Sequence, residues 1–356
     1  MVSSVLDKVR ARRGAWTIGA VLGFIICSGA GTGRAQQGGA GIEVLQIRPN
    51  FFMIASAVSN IGVQIGPDGV ILVNAGTQET SGEVLAAIQK LTREPIRYII
   101  NTSADADLVG GNQIFAKAGL RLGALPVRPG SEPGTDDAAF IVAHEKVLQR
   151  MSAPSGSGPL FPIQTWPNET FDGKRKSLSF NGEGIEIVQE SGGHTDADSV
   201  VLFRRSDVVV AGHILDATRF PVIDVARGGG IQGEIDALNR LIEMAIPGGP
   251  FLGTPTQAIA TGVSVMPGGT EVVPGRGRVY RQIDVVDYRD MVVIVRDTIQ
   301  FMIGQKMTLE QIKAAAPAKA WEPRFGATSG PWTTNDFVEA VYKSLTNEKQ
   351  QRPAGR

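Results

Sequence analysis

Apolar residues along this chain come in short dense bursts separated by polar or glycine-rich breaks. FFMIASAV (Phe51–Val58), GVQIG and GVILV are such bursts, and Gly66-Pro67-Asp68-Gly69 joins the last two. β-branched and aromatic residues dominate them and turn formers bound them, which predicts antiparallel strands. The rhythm then changes. From Glu79 to Thr92, the apolar positions Val84, Leu85, Ile88 and Leu91 recur at helical spacing. IRYII (Ile96–Ile100) returns to the strand pattern, and Asp136–Met151 reads as a second helix.

The second half repeats this order. GIEIVQ, SVVLF and DVVVAG (Asp207–Gly212) read as strands. Ile231–Ala245 follows as an amphipathic helix with Ile231, Ile235, Leu238 and Ile242 on one face. TEVVPG is another short strand, and Asp284–Gly304 a long helix. Thr308–Ala315 opens with Thr308 and Gln311 at capping-box spacing. A last helix runs from about Asn335 to Leu345 and buries Phe337, Val338, Val341 and Leu345. Strands clustered within each half, with helices after them, predict two sheets packed face to face under outer helices.

Composition narrows the partners. The 356 residues are 42% hydrophobic and 20% charged, enough for a sizeable core. The formal net charge of zero points away from nucleic acid and from an anionic membrane surface. The first 35 residues read as an export signal. Lys8, Arg10, Arg12 and Arg13 precede the apolar run Ala15–Ser28, and Gly33-Arg34-Ala35 offers a cleavage point. That apolar run is shorter than the roughly 20 residues of a spanning helix, so no membrane partner is expected after cleavage. Removing 1–35 takes five basic residues and one acid from 35 of each, leaving 30 and 34. It also removes Cys27, the single cysteine, so no thiolate ligand or nucleophile remains. The expected location is exported, periplasmic or secreted.

Candidate chemistry concentrates in NTSADADLVGGN (Asn101–Asn112), a polar turn between the IRYII strand and the next helix. SGGHTDADSVVLF, VVVAGHILDATRFP and GGTEVVPGRGRV follow it in that order. Together with GVILVNAG, these stretches resemble the metallo-β-lactamase superfamily from about Phe51 to Tyr288. The resemblance implies an α/β fold, an αββα sandwich of two mixed sheets flanked by helices. The expected organisation is an export signal at 1–35, the sandwich at 36–305 and a C-terminal helical extension at 306–356.

Active members carry HxHxDH in the first turn, and the resemblance puts Ser103, Asp105, Asp107 and Leu108 at its ligand positions. The His of GHT is His194. The metal-bridging Asp after the AG strand is His213 here, and the His of PGHG is Arg276. The Asp that ends the early strand, behind the metals, is Asn74. Only Asp107 and His194 keep the family's residue types. Leu108 cannot ligate, Ser103 does so poorly, and Arg276 puts a permanent cation where a dication would sit. The expectation is a site with no metal cofactor, in which Arg276 pairs bidentately with a carboxylate. The alternative is one zinc, iron or manganese ion held by Asp105, Asp107, His194 and His213.

Two readings of function follow. One is a non-catalytic relative that binds a small molecule or a protein in the old active-site mouth. The other is a hydrolase of lactams, lactones, thioesters or other esters, with a rearranged mononuclear site and Asp107 as the candidate catalytic group. Ser103 would serve as a nucleophile only if His194 or His213 faced it. Gly228–Gly233, GGGIQG, lacks the strand context of a dinucleotide fingerprint and reads as the entry to the helix at Ile231. His144 reads as a surface or capping histidine. No G-x-S-x-G motif occurs.

Overall fold

The computed structural model describes residues 36–37, 41–121, 137–156, 158–248 and 268–351. The expected export signal at 1–35 lies outside them. In the first sheet, β1 (Gln36–Gln37), β2 (Ile42–Arg48), β3 (Phe51–Ser56), β4 (Asn60–Gly66) and β5 (Gly69–Val73) are antiparallel neighbours in that order. β6 (Ile96–Ile100) and β7 (Phe140–His144) then continue in parallel. β8 (Pro154–Ser155) and β9 (Gly158–Pro159) form a separate ribbon, and β10 (Glu169–Phe171) closes the first sheet beside β7. The second sheet runs β11 (Arg175–Phe180), β12 (Glu183–Glu190), β13 (Asp198–Phe203), β14 (Val208–Asp216) and β15 (Glu271–Arg276). Its pairs are antiparallel except β14–β15.

β5 shows how the sequence builds layers. All five residues of GVILV are buried because side chains alternate faces and both faces are covered. Ile71 and Val73 join Phe51, Ile100, Ile187, Val201 and Val210 between the two sheets. Val70 and Leu72 face the other way, onto α1 (Ser81–Leu91) and, past the four-residue α2 (Ala106–Val109), α3 (Asn112–Ala118). The outer face of the second sheet packs Val200, Val209 and Val272 under α5 (Ile231–Met244) and α6 (Gln282–Gly304). The layers are therefore helix, sheet, sheet, helix. No helix of the described residues is long and apolar enough to cross a membrane.

The C-terminal helices α7 (Leu309–Ala315), α8 (Glu322–Phe325) and α9 (Thr334–Gln351) share this outer core through Ile312, Phe325, Phe337 and Val341. The capping box at Thr308 and Gln311 forms, with each side chain bonding the other's backbone N–H. Phe337 stacks on Phe220 at 4.8 Å.

One predicted helix is mostly strand. AAFIVAHEKVLQRM carries β7 first, and only Glu145–Met151 (α4) is helical. Val142 faces the inter-sheet core and Ile141 the outer one. A short apolar run buried on both sides has no period that separates strand from helix. His144 caps α4, its Nδ1 accepting from Lys146 N, as the capping reading expected. Gln36–Gln37 pairs with Glu43 and Val44.

Candidate active site

The polar turn after β6 is framed before any chemistry begins. The side chains of Asn101 and Asn112 exchange amide hydrogen bonds of 3.0 and 2.8 Å across its ends. Asn112 also donates to Thr165 O at 2.8 Å. Asn74 sits at φ 67, a left-handed conformation that Asn tolerates better than most residues. Its Oδ1 accepts from Thr102 N and Oγ1 at 3.0 and 2.9 Å, so it stands behind the turn, where the resemblance put it.

Two neighbouring chain segments approach this turn closely. Gly212 lies at a register shift in β14 with φ +55, and a Cβ there would sit 2.3 Å from Thr102 Oγ1. On β15, a Cβ at Gly275 would lie 2.6 Å from Gly212 O and 2.9 Å from His213 Cδ2. Glycine at both places lets β14 carry His213 up to the turn. The other segment is the loop of Gly192-Gly193-His194, nested against the residues that open α5. A Cβ at Gly233 would meet Gly192 O at 1.9 Å, and one at Gly229 would meet His194 O at 2.2 Å. GGGIQG is thus a packing surface for the histidine loop, a role that only the folded chain reveals.

Four of the expected residues meet. His194 Nε2 is 2.9 Å from Asp105 Oδ2, and its Nδ1 is 2.7 Å from Val222 O. His213 lies between the two carboxylates, with Nδ1 3.2 Å from Asp105 Oδ2 and Nε2 3.1 Å from Asp107 Oδ2. The imidazoles of His194 and His213 meet edge to face at 5.1 Å. A carbonyl or carboxylate oxygen accepts, so both nitrogens of each ring face acceptors, a setting that favours the protonated imidazole. Burial opposes that charge at His213, but the bonds to Asp105 and Asp107 push its pKa up to about 10. His194 is raised as well, burial being outweighed by Asp105 and Asp198. Burial also favours a neutral Asp105, yet the two histidines hold it well below the usual carboxylate range. Asp107 is lowered likewise, against its burial, by His213.

The remaining positions do not ligate. Ser103 Oγ donates to Asp105 Oδ2 at 2.7 Å rather than facing a ring nitrogen. Leu108 is fully buried, and its carbonyl accepts from Ala75 N. The bidentate pair expected of Arg276 is not formed. Its Nη2 stands 3.7 Å from Asp107 Oδ2 and its Nε 4.0 Å from Asp216 Oδ2. Asp216 is instead engaged by Arg219 Nε at 2.7 Å and by Thr218 Oγ1 at 2.6 Å. His213 reaches both carboxylates more closely than the longer Arg276 does.

Arg227 escaped the reading of the sequence. Its Nη1 lies 3.5 Å from Asp105 Oδ1, and its Nε 3.3 Å from Asp224 Oδ2. The charges alternate from Arg227 through Asp105, His213 and Asp107 to Arg276. Nothing in the loop before GGGIQG marks this arginine locally.

The family's two-metal site does not fit these residues, because Ser103, Leu108 and Arg276 stand at three of its ligand positions. A single ion does fit the donor set. Asp105, His194 and His213 each offer a ligand atom within 4.8 Å of the others. Each imidazole has its second nitrogen on an oxygen, Val222 O or Asp107 Oδ2, the arrangement that orients metal-ligating histidines.

Comparison with known proteins bears on the family and the fold. The family model for the metallo-beta-lactamase superfamily matches residues 57–252, more than half of the chain. Among solved structures, a stereoselective inverting sec-alkylsulfatase from Pseudomonas sp. is similar at 12% identity and TM-score 0.55. The match covers 88% of this chain and 51% of the sulfatase, so the chain spans about half the length of that relative. A metallo-beta-lactamase from Pontibacter korlensis matches at 16% identity over 73% of this chain and 98% of its own, with TM-score 0.46. No curated protein matches. Fold, motif order and family model converge: the chain belongs to the metallo-beta-lactamase superfamily.

Proposed function

We propose that this protein is a non-catalytic member of its superfamily, an exported binding protein that takes a small molecule or a protein at the former active-site mouth. The observation that carries this reading is the placement of His213. Its ring lies where the two carboxylates converge, with a nitrogen on each. That cation balances the acids without an ion from solution, as Arg276 was expected to do. Neither imidazole of the cluster has a nitrogen free to act as a base, and Ser103 has no ring nitrogen to activate it. Both histidines are committed through both nitrogens, and Ser103 donates to a carboxylate. A histidine general base, or a histidine that activates a serine, needs a ring nitrogen open to accept a proton.

A mononuclear hydrolase is the second reading, favoured by the fit of Asp105, His194 and His213 to one first-row dication. A bound ion would supply a Lewis acid and a water acidified toward neutral pH. In that case Val222 O and Asp107 would fix the two imidazoles and Asp105 would give the anionic ligand. Substrates of the relatives, such as sulfate esters or lactams, would enter as candidates under this reading alone.

Elemental analysis separates the two. The chain is dialysed against zinc, iron and manganese in turn, and retained metal is counted per chain. The first reading expects none to survive exhaustive dialysis. About one ion per chain, lost in both His194→Ala and His213→Ala, would replace it with the second.

A further inference from the structure

Away from the histidine cluster, a cavity of about 640 Å³ opens between the loop of Val222–Ala226 and the outward face of α9. Its size falls in the range of small-molecule sites, about 300–1,000 Å³. One wall is tied to the histidine site. Val222 O receives His194 Nδ1, and Asp224 N donates to His194 O at 2.9 Å. The opposite wall presents Asp336, Glu339, Ala340 and Lys343, which helical spacing puts on one face.

The charges of the lining point to one class of ligand. Asp224, Asp336 and Glu339 line it with Lys343, the one lining cation among the described residues. Lys343 is committed to Glu339 at 2.7 Å, and Lys313 holds the other oxygen of Glu339 at 2.6 Å. Asp224 is paired with Arg227. Asp336 differs: among the described residues its Oδ2 accepts from Thr333 N and Oγ1 alone, at 2.8 and 2.7 Å. Among the described residues, no Lys or Arg forms an ion pair with it. Apart from Asn347, the rest of the lining is apolar, with Val222, Val225, Ala340 and Trp332 among it.

We propose that this cavity binds an amphipathic organic cation, with its ammonium at Asp336 and its apolar body between Val225, Trp332 and Ala340. An aromatic ring beside a carboxylate suits such a group, since both attract positive charge. Occupancy is transmitted to the histidine cluster by two short links. The first is the Val222–His194 bond, and the second runs from Asp224 through Arg227 to Asp105. The proposal stands whichever reading of the histidine site holds, because none of its contacts involves the ligating atoms.

Three probes of nearly equal shape test it: 2-phenylethylammonium, 3-phenylpropionate and 2-phenylethanol. Each is titrated into the whole chain while the Trp332 indole and the His194 ring are followed by NMR. The ammonium probe is expected to shift both signals saturably, with Asp336→Asn weakening it about tenfold, as loss of an ion contact of roughly 1.4 kcal/mol would. Val225→Trp, which fills the cavity from its loop wall, is expected to abolish binding while the unfolding midpoint is kept. Equal or tighter binding of the carboxylate or the alcohol would overturn the proposal. So would no saturable shift with the ammonium at millimolar concentration, or undiminished binding by folded Val225→Trp.

Discussion

The turn of Asn101–Asn112 and the loop around His194 face each other across one ionic cluster, and they keep different things. The loop keeps the superfamily's GHT sequence together with its support, from the Val222 carbonyl to the glycines that open α5. The turn keeps only its frame. Asn101 and Asn112 still lock its ends, while Ser103, Asp105 and Leu108 stand where active members carry imidazoles. Backbone support and reactive side chains are therefore separable. Hydrogen bonds that fix the turn do not depend on what its side chains hold, provided that charge at the centre is balanced. His213 supplies that balance from a third element, β14.

Replacing the balancing cation should have the largest effect. His213→Ala leaves Asp105 and Asp107 without the group between them, and breaking a buried ion pair in this way costs about 3–5 kcal/mol. Urea unfolding measures the loss, and a change below about 1 kcal/mol would show that the carboxylates do not need this ring. Its pH dependence has a definite sign. The folded pKa of about 10 lies above the ordinary 6.5, so the folded state binds the extra proton. The stabilisation is full below pH 6.5 and is lost as pH rises from there through 10. Wild-type stability should fall across that window, and the slope should flatten in His213→Ala.

Next comes the packing of the histidine loop. Gly233→Ala puts a methyl group 1.9 Å from Gly192 O, backbone against backbone. Such overpacking costs about 3 kcal/mol. Thermal unfolding reports the loss, and loss of the His194 ring signal would place the damage at this loop.

Asn112→Ala tests the frame of the opposite turn. It strands the buried Asn101 amide and should cost about 1–3 kcal/mol, leaving the His194 ring signals in place. A comparable disturbance at His194 would mean that the two regions are one unit. Arg276→Ala should matter least, roughly 0–1 kcal/mol, because its guanidinium stands 3.7 Å from Asp107 and is partly exposed. Were its cost to match that of His213→Ala, Arg276 would regain the role that the sequence suggested for it.

Much of this was legible beforehand because it rests on local chemistry. GVILV and IRYII announce strands through β-branched residues, and Thr308 with Gln311 announces a capped helix. The resemblance put Asp105, Asp107, His194 and His213 at one point, and the ligand atoms of Asp105, His194 and His213 do lie together, while Asp107 stands on the far side of the His213 ring. What escaped depends on distance along the chain. Arg227 meets Asp105 across 122 positions, and no periodicity marks such a contact. The reach of His213 depends on glycines at 212 and 275, whose purpose appears only when β14 and β15 pass the turn. FIVAH was misread because a strand covered on both faces has no alternation to show.

The imidazole between Asp105 and Asp107 is covalently part of β14, which changes what the folded state depends on. An ion taken from solution fills its site according to supply, and a chelator can take it away. A ring carried on a strand arrives with the strand, in unit ratio to its carboxylates, at any dilution. On the proposed metal-free reading, folding of this centre is indifferent to metal scarcity. The same tether means that the cation cannot be exchanged for one with different chemistry.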